Sequence, residues 1–278
     1  MIAGTACGSC RSWIVQSASG GDRSASGVRL VPATRPPGGS SGIGRATALA
    51  FAREGAKVVV ADVDIDRGAK TVGLIREKGG DAIFAKTDVT QKYDVEMLVK
   101  RTVDTYGRLD FAFNNAGIEG TQAPTADYLE EVWNRAIAVN LTGVWLCMKY
   151  EIPQMLKQGG GVIINCASIL GTVGFANASA YVAAKHGVLG LTETAAIEYA
   201  TQGIRINAIC PAFIETPMLE RGGLTNDPQV YQMIAGLHPM KRLGTPEEIA
   251  GPVLWLCSDA ASFVTGQALL VDGGYVAQ

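Results

Sequence analysis

Long basic runs are missing from this 278-residue chain, and its formal net charge is only -2. Nothing in that balance favours nucleic acid or an anionic membrane surface as a partner. No stretch of 18 apolar residues escapes charges or chain breakers, so a membrane-spanning helix is not expected. Histidine is nearly absent, with His186 and His238 the two present. That scarcity bears on Gly38-Gly-Ser40-Ser-Gly42, which formally matches the nucleophile elbow of a serine hydrolase. Such an enzyme needs a strand running into the elbow and a late histidine, whereas prolines precede this turn, His186 directly follows Lys185 and His238 precedes Pro239. A serine hydrolase is therefore a distant alternative. Cysteine is sparse as well. Cys147, Cys166, Cys210 and Cys257 lie in apolar stretches and read as small buried hydrophobes. Cys7-Gly-Ser-Cys10 has the spacing of a redox pair or half a zinc site, but no second pair or nearby histidine completes a ligand set, so no metal is expected. A reducing cytoplasm fits this usage.

With 47% hydrophobic residues the chain can bury a large core, and an α/β fold of this length commonly remains one domain. Residues 1–37 stand apart. They are rich in Gly, Ser, Arg and Pro with little hydrophobic periodicity, and read as a disordered or loosely packed segment ahead of a domain at 38–278. They lack the continuous apolar core of a secretory signal and the amphipathic pattern of a transit peptide. From Gly38 onward, β-branched apolar runs alternate with helical patterns, which predicts a parallel sheet covered on both faces, a Rossmann-like doubly wound α/β fold. Strands are expected at 57–63, 82–87, 109–114, 162–167, 204–210 and 268–271. Helices are expected at 43–54, 66–78, 92–106, 128–156, 180–200 and 246–257.

Tyr181-Val-Ala-Ala-Lys185 places a phenol and an ammonium on one helix face. A free tyrosine, with a pKa near ~10, is a poor proton acceptor at neutral pH. One positive charge at about 4 Å, in an effective dielectric of about 20, is worth roughly 4 kcal/mol, or about three pKa units before desolvation is subtracted. Lys185 is thus expected to make Tyr181 useful in proton transfer, with Ser168 holding the substrate oxygen.

These residues fall in an ordered series. Gly38-Gly-Ser-Ser-Gly42-Ile-Gly44, Asn114-Asn-Ala-Gly117, Asn140, Ser168, Tyr181, Lys185, Pro211, Thr216 and Val271-Asp-Gly-Gly274 follow one another as in the short-chain dehydrogenase/reductases, which the chain resembles over residues 38–278. The resemblance implies a catalytic set of Asn140, Ser168, Tyr181 and Lys185, with Tyr181 as general acid or base. It also implies a nicotinamide dinucleotide held by Gly38, Ser41, Gly42, Ile43 and Gly44 at the pyrophosphate, Asp88 and Val89 at adenine, and Asn115, Ala116 and Gly117 at the adenosine ribose. Lys185 would bond the nicotinamide ribose beside Tyr181, with Pro211, Ile214 and Thr216 around the nicotinamide. Asp62, at the end of an apolar strand, would accept from the adenosine ribose and repel a 2'-phosphate, which predicts NAD over NADP. Residues 118–124 with 145–150 are similar to bacterial members labelled glucose 1-dehydrogenase or cyclic-alcohol dehydrogenase. The implied partner is a small secondary alcohol or ketone, in a pocket of Glu119, Leu170, Phe175, Phe213, Met218 and the loop 216–239. Family members commonly form homotetramers or dimers. A 3-oxoacyl carrier-protein reductase is the enzymatic alternative, disfavoured by Asp62.

One part of the pattern is damaged. Where the family has a hydrophobic first strand, this chain reads Pro32-Ala-Thr-Arg-Pro-Pro37, a poor central strand because proline lacks the needed donor. Val28-Arg-Leu-Val31 is one substitute. A missing first strand, giving a poorly folded or inactive NAD-binding relative, is the other.

Overall fold

The computed structural model describes residues 12–16, 42–221 and 227–278. Within them β1 (Ser12–Gln16), β2 (Lys57–Asp62), β3 (Ala82–Lys86), β4 (Phe111–Asn114), β5 (Gly161–Cys166), β6 (Ile204–Pro211) and β7 (Ala268–Val271) form one sheet. Its spatial order is β3-β2-β1-β4-β5-β6-β7, and every neighbouring pair is parallel. The chain winds outward from β1 in both directions, so the strand order reverses between β1 and β4, the place where such sheets open a crevice for a ligand. The helices are α1 (Gly42–Arg53), α2 (Ile65–Glu77), α3 (Lys92–Tyr106), α4 (Glu130–Ile137), α5 (Gly143–Lys157), α6 (Ser179–Tyr199), α7 (Pro217–Arg221), α8 (Pro228–Gly236) and α9 (Pro246–Cys257).

Alternation along the strands explains why both faces need covering. Val59, Ala112, Ile163 and Ile206 point to one core with Leu98 of α3, Met148 and Ile152 of α5, and Val188 of α6. Val58, Val60, Phe111, Phe113, Val162 and Ile164 point to the other, where Phe51 of α1, Val72 and Ile75 of α2, and Ile249 and Val253 of α9 pack. Each strand is apolar at successive positions because neither face meets water.

The first strand lies where the sequence pattern does not put it. Ser12–Gln16 pairs Ile14 with Val59 on one side and with Ala112 on the other, inside the segment expected to be loosely packed. Trp13-Ile-Val15 has the β-branched and aromatic content of a strand and no proline. Five residues in a Gly- and Ser-rich context are too few to register as a periodic run. The substitute at 28–31 and the prolines at 32–37 lie outside the described residues, as does Cys7-Gly-Ser-Cys10.

Elsewhere the expected elements appear within a residue or two, with one instructive exception. The single helix expected over 128–156 is α4 and α5 joined by a π-helical turn, Ala138–Thr142. That turn carries Asn140, and such bulges insert a residue to re-aim a side chain. Helices α7 and α8 occupy part of the stretch expected as a loop.

Placing β1 at the centre of the sheet makes a direct prediction. Ile14→Pro removes a ladder donor from a strand paired on both sides and should abolish the cooperative thermal transition, while Leu30→Pro should leave it in place. The opposite order in circular-dichroism melts would return the first strand to residues 28–31.

Candidate functional site

A cleft opens at the carboxyl ends of the strands. Gly42 and Ile43 of α1 form one wall, Asn115 and Gly117 follow β4, and Cys166, Ala167 and Ser168 follow β5. Pro211 to Thr216, on the exit from β6, and the first residues of α7 close the far side. Tyr181 and Lys185 reach in from α6, one turn apart.

Ser168 is held by its own loop. It caps the short 3-10 turn Ile169–Gly171, its Oγ accepting from Leu170 N at 3.1 Å. The hydroxyl also hydrogen-bonds the phenol of Tyr181. Lys185, buried, donates from Nζ to the Cys166 carbonyl at 2.7 Å and lies 5.5 Å from the centre of the Tyr181 ring. Asn140 clamps the backbone of Ile118 from both ends, its Oδ1 accepting from Ile118 N and its Nδ2 donating to Ile118 O, each at 2.8 Å. A Cβ on Gly117 would stand 3.2 Å from Asn140 Oδ1 and 3.8 Å from Lys185 Nζ, so this glycine permits the approach of the two side chains. Three separate segments thus bring Ser168, Tyr181 and Lys185 to the cleft, with Asn140 buried close behind them.

The electrostatics differ from the expectation. Burial dominates at Tyr181 and pushes its phenol above the ordinary range, with the hydrogen bond from Ser168 opposing and the charges around Cys166 and Glu119 adding to the rise. Lys185 does not reverse this. Its own pKa is lowered by burial, and its ammonium is committed to the Cys166 carbonyl. Burial also raises the thiol of Cys166, and that of Cys210 to about 12, so both sulfurs stay protonated at neutral pH. The four cysteines of the described strands and helices are free and buried.

The residues present fit a dinucleotide. Gly42 opens α1 at φ +54, and a Cβ there would fall 3.0 Å from Thr216 Cγ2, so the helix N-terminus meets the β6 exit only because no side chain intervenes. Free N–H groups at such a terminus suit a pyrophosphate. Asp62 ends β2 fully buried, its Oδ1 accepting from Asp64 N at 2.9 Å, with the positive charge of Arg45 near it.

Of the expected residues, Gly42, Ile43, Asn115, Gly117, Ser168, Tyr181, Lys185, Pro211, Ile214 and Thr216 line the cleft. Gly44, Asp62, Ala116 and Asn140 stand behind it, buried. Asp88 turns its Oδ1 to Thr90 N and Thr90 Oγ1, at 2.9 and 2.7 Å. Val89 packs in a core with Val139 and Leu146. Gly38 and Ser41 lie outside the described residues. Among the expected pocket residues Met218 lines the cleft, while Phe213 instead turns to His238 and Tyr275. Pro217 and Leu219, from the expected loop, line it too; Cys166, Ala167 and Ala212 also do so and were not expected, and position at a strand's carboxyl end is the signal that finds the first two.

Beneath the cleft lies a buried polar network. Asn114 Nδ2, at the end of β4, donates to Glu151 Oε2 of α5 at 3.1 Å and to Asn165 Oδ1 of β5 at 3.0 Å. Asn165 Nδ2 in turn donates to Thr192 Oγ1 of α6 at 2.9 Å. Burial raises the Glu151 carboxyl to about 8, the bond from Asn114 opposing.

With this geometry in hand, comparison with known proteins is informative. A family model described as Enoyl-(Acyl carrier protein) reductase matches residues 38–276. A cyclohexanol dehydrogenase of Acinetobacter sp. (strain SE19) is 46% identical over 241 residues, 87% of this chain and 93% of that one. The crystal structure of a levodione reductase superposes with a TM-score of 0.85 at 36% identity, covering 96% of this chain and 98% of the other. An actinorhodin polyketide ketoreductase determined with NADPH gives 0.84 at 32%, covering 96% and 97%. The family match and this NADPH-bound neighbour support a nicotinamide cofactor. Among the described residues, no helix is long and apolar enough to cross a membrane, and no cluster of three or more metal-ligating side chains occurs.

The Glu151 network carries a pH signature. Its carboxyl is protonated in the folded chain up to pH about 8 but ionises near the ordinary 4.5 when unfolded. Between those values the folded state binds more protons, so this group makes stability fall as pH rises, levelling above the folded pKa. Glu151→Gln removes that slope. Its melting temperature should match or trail wild type near pH 5 and exceed it near pH 9, a crossing that differential scanning calorimetry would detect.

Proposed function

The chain belongs to the short-chain dehydrogenase/reductase family, and on that premise we propose that it moves a hydride between NAD and a secondary alcohol or its ketone on a compact cyclic skeleton. The observation that carries this reading is the convergence of Ser168, Tyr181 and Lys185 on the same cleft as Gly42 and Thr216. The cyclohexanol dehydrogenase relative supports a cyclic secondary alcohol.

When bound, the nicotinamide supplies or accepts the hydride. The chain's own residues manage the proton and the oxygen. Ser168 hydrogen-bonds the substrate oxygen from the rim of β5, beside the phenol that it already touches. Tyr181 gives its proton to the oxygen in ketone reduction and takes one in alcohol oxidation, one transfer run in two directions. Lys185, fixed by the Cys166 carbonyl, holds the nicotinamide ribose and keeps a positive charge beneath the phenol. Asn140 fixes the backbone of Ile118 and so the floor beside Gly117. Gly42, Ile43 and Gly44 receive the pyrophosphate with Gly38 and Ser41 preceding them, Asp88 and Val89 flank adenine, and Asn115, Ala116 and Gly117 meet the adenosine ribose. Pro211, Ile214 and Thr216 orient the nicotinamide. Asp62 accepts from the adenosine ribose, and its buried carboxylate resists a 2'-phosphate even with Arg45 nearby. That is the support for NAD over NADP. A cytoplasmic homotetramer completes the reading, the buried free thiols suiting a reducing compartment.

A phenol held protonated by burial serves reduction over the neutral range, whereas oxidation requires its ionised form. The rate of alcohol oxidation should therefore climb through the alkaline range, while ketone reduction stays level near neutrality and declines at high pH. Tyr181→Phe should lower kcat by about 10²–10⁴ in both directions with NAD binding nearly unchanged, read by NADH absorbance and by dinucleotide titration. Substantial residual turnover would remove Tyr181 from this role.

The cofactor and substrate assignments meet in one screen. NADH formation from a panel of cyclic and open-chain secondary alcohols should give its highest kcat/KM on a cyclic one, with NAD favoured over NADP. Asp62→Ala should narrow that preference. A higher kcat/KM with NADP, together with rapid reduction of an acetoacetyl thioester, would favour the 3-oxoacyl carrier-protein reductase instead.

A further inference from the structure

His238 is 1% exposed and takes no part in the chemistry above. Its Nδ1 donates to the Ile234 carbonyl at 3.0 Å, an oxygen in the last turn of α8 that also accepts from Leu237 N at 3.1 Å. Its Nε2 is buried and has no hydrogen-bond partner among the described residues. The ring itself is an edge between two others. It meets Phe213 at 5.8 Å and 84°, and Tyr275 at 5.5 Å and 62°, while Phe213 and Tyr275 stand 6.1 Å apart.

Three chain segments converge here. Phe213 sits between Ala212 and Ile214, both of which line the cleft, and its carbonyl accepts from Gly244 N at 3.0 Å. Tyr275 belongs to the last turn of the chain, shaped by Asp272, whose Oδ1 and Oδ2 accept from Gly274 N and Val276 N at 2.9 Å each. That turn is fastened to the end of α8 at three further points. Met240 N donates to Gly273 O at 3.2 Å, and Gln278 Nε2 donates to Leu237 O at 2.7 Å. Gly274, at φ +85, comes so close to Pro239 that a Cβ would fall 3.0 Å from its Cγ.

We propose that His238 is a positioning residue which, with Phe213 and Tyr275, clasps the C-terminal turn onto α8 and the β6 exit and so sets the substrate-facing wall of the cleft. A phenylalanine would fill the same volume without an unpaired nitrogen. Histidine adds a second donor to the Ile234 carbonyl, which Leu237 N also reaches at 3.1 Å, while it packs edge-on to two aromatic neighbours. The wall that depends on it includes Ala212 and, on α7, Met218 and Leu219. The clasp fixes where a bound alcohol can lie without touching the proton-transferring groups.

The inference rests on the alcohol and ketone reading only for its kinetic readout. His238→Ala and Tyr275→Ala should each raise KM for the best alcohol roughly tenfold, with kcat and the dissociation constant for NAD changed by less than about threefold. The double variant should be little worse than either alone, because both changes open one contact. His238→Gln, which keeps a donor towards Ile234 O, should recover part of the loss. Amide hydrogen exchange should quicken over both 228–240 and 272–278 in either single variant. A lowered melting temperature with unchanged KM, or fully additive losses, would overturn the clasp. If wild type turns over no alcohol, the functional reading falls and exchange alone decides: acceleration confined to the substituted side would then refute the coupling.

Discussion

The hydrogen bond from Lys185 Nζ to the Cys166 carbonyl, at 2.7 Å, is the contact on which the cleft's arrangement depends. It ties α6 to the last residue of β5 across 19 positions of sequence. One turn of helix before Lys185 stands Tyr181, and two residues after Cys166 stands Ser168, so a single bond sets the separation of the phenol and the hydroxyl. A buried ammonium is costly to desolvate, and its pKa falls for that reason. The carbonyl at a strand's end offers a partial negative charge that no longer serves the sheet ladder. A shorter or neutral side chain at position 185 would lose that anchor and leave the strand-end oxygen unpaired.

The parallel sheet makes such anchoring possible. All strands run the same way, so their carboxyl ends gather on one edge, and the reversal of order beside β1 parts the following loops instead of stacking them. Beneath that edge the Asn114, Glu151, Asn165 and Thr192 network joins β4, β5, α5 and α6 with side-chain bonds. Buried polar bonds of this kind favour one arrangement of their elements, although Asn114 Oδ1 has no hydrogen-bond partner among the described residues. Here they hold in register the two strands whose ends carry Asn115 and Ser168.

Much of this was legible in the amino-acid sequence, and the failures have physical causes. Strands β2, β4, β5 and β6 announce themselves because both faces are buried and most of their residues are apolar, and β3 and β7 by their short apolar runs. Ten of the expected site residues line the cleft because glycine turns, strand ends and the Tyr181–Lys185 spacing are local features. β1 was not legible: its pairing partners, Val59 and Ala112, are supplied by distant segments, and Trp13-Ile-Val15 alone is too short to declare itself. The π-helical turn at Asn140 was hidden since apolar periodicity continues through it. Phe213 looked like a pocket residue by position, but its ring goes where His238 and Tyr275 offer edges, and no linear pattern links residues 213, 238 and 275.

The motif spacing also led to an overestimate of what one lysine does for a tyrosine. Helical proximity is real, with Lys185 Nζ 5.5 Å from the Tyr181 ring centre. At that distance and an effective dielectric of about 20, a unit charge is worth roughly 3 kcal/mol, or about two pKa units. Desolvation of the phenol acts the other way and is the largest influence on it. Burial wins, and the phenol stays above its ordinary range. The same burial withdraws the ammonium towards neutrality and directs it to a carbonyl, so the two groups are tuned by a shared dry environment more than by each other. A fold that excluded water less completely would acidify Tyr181 with the same two residues at the same spacing.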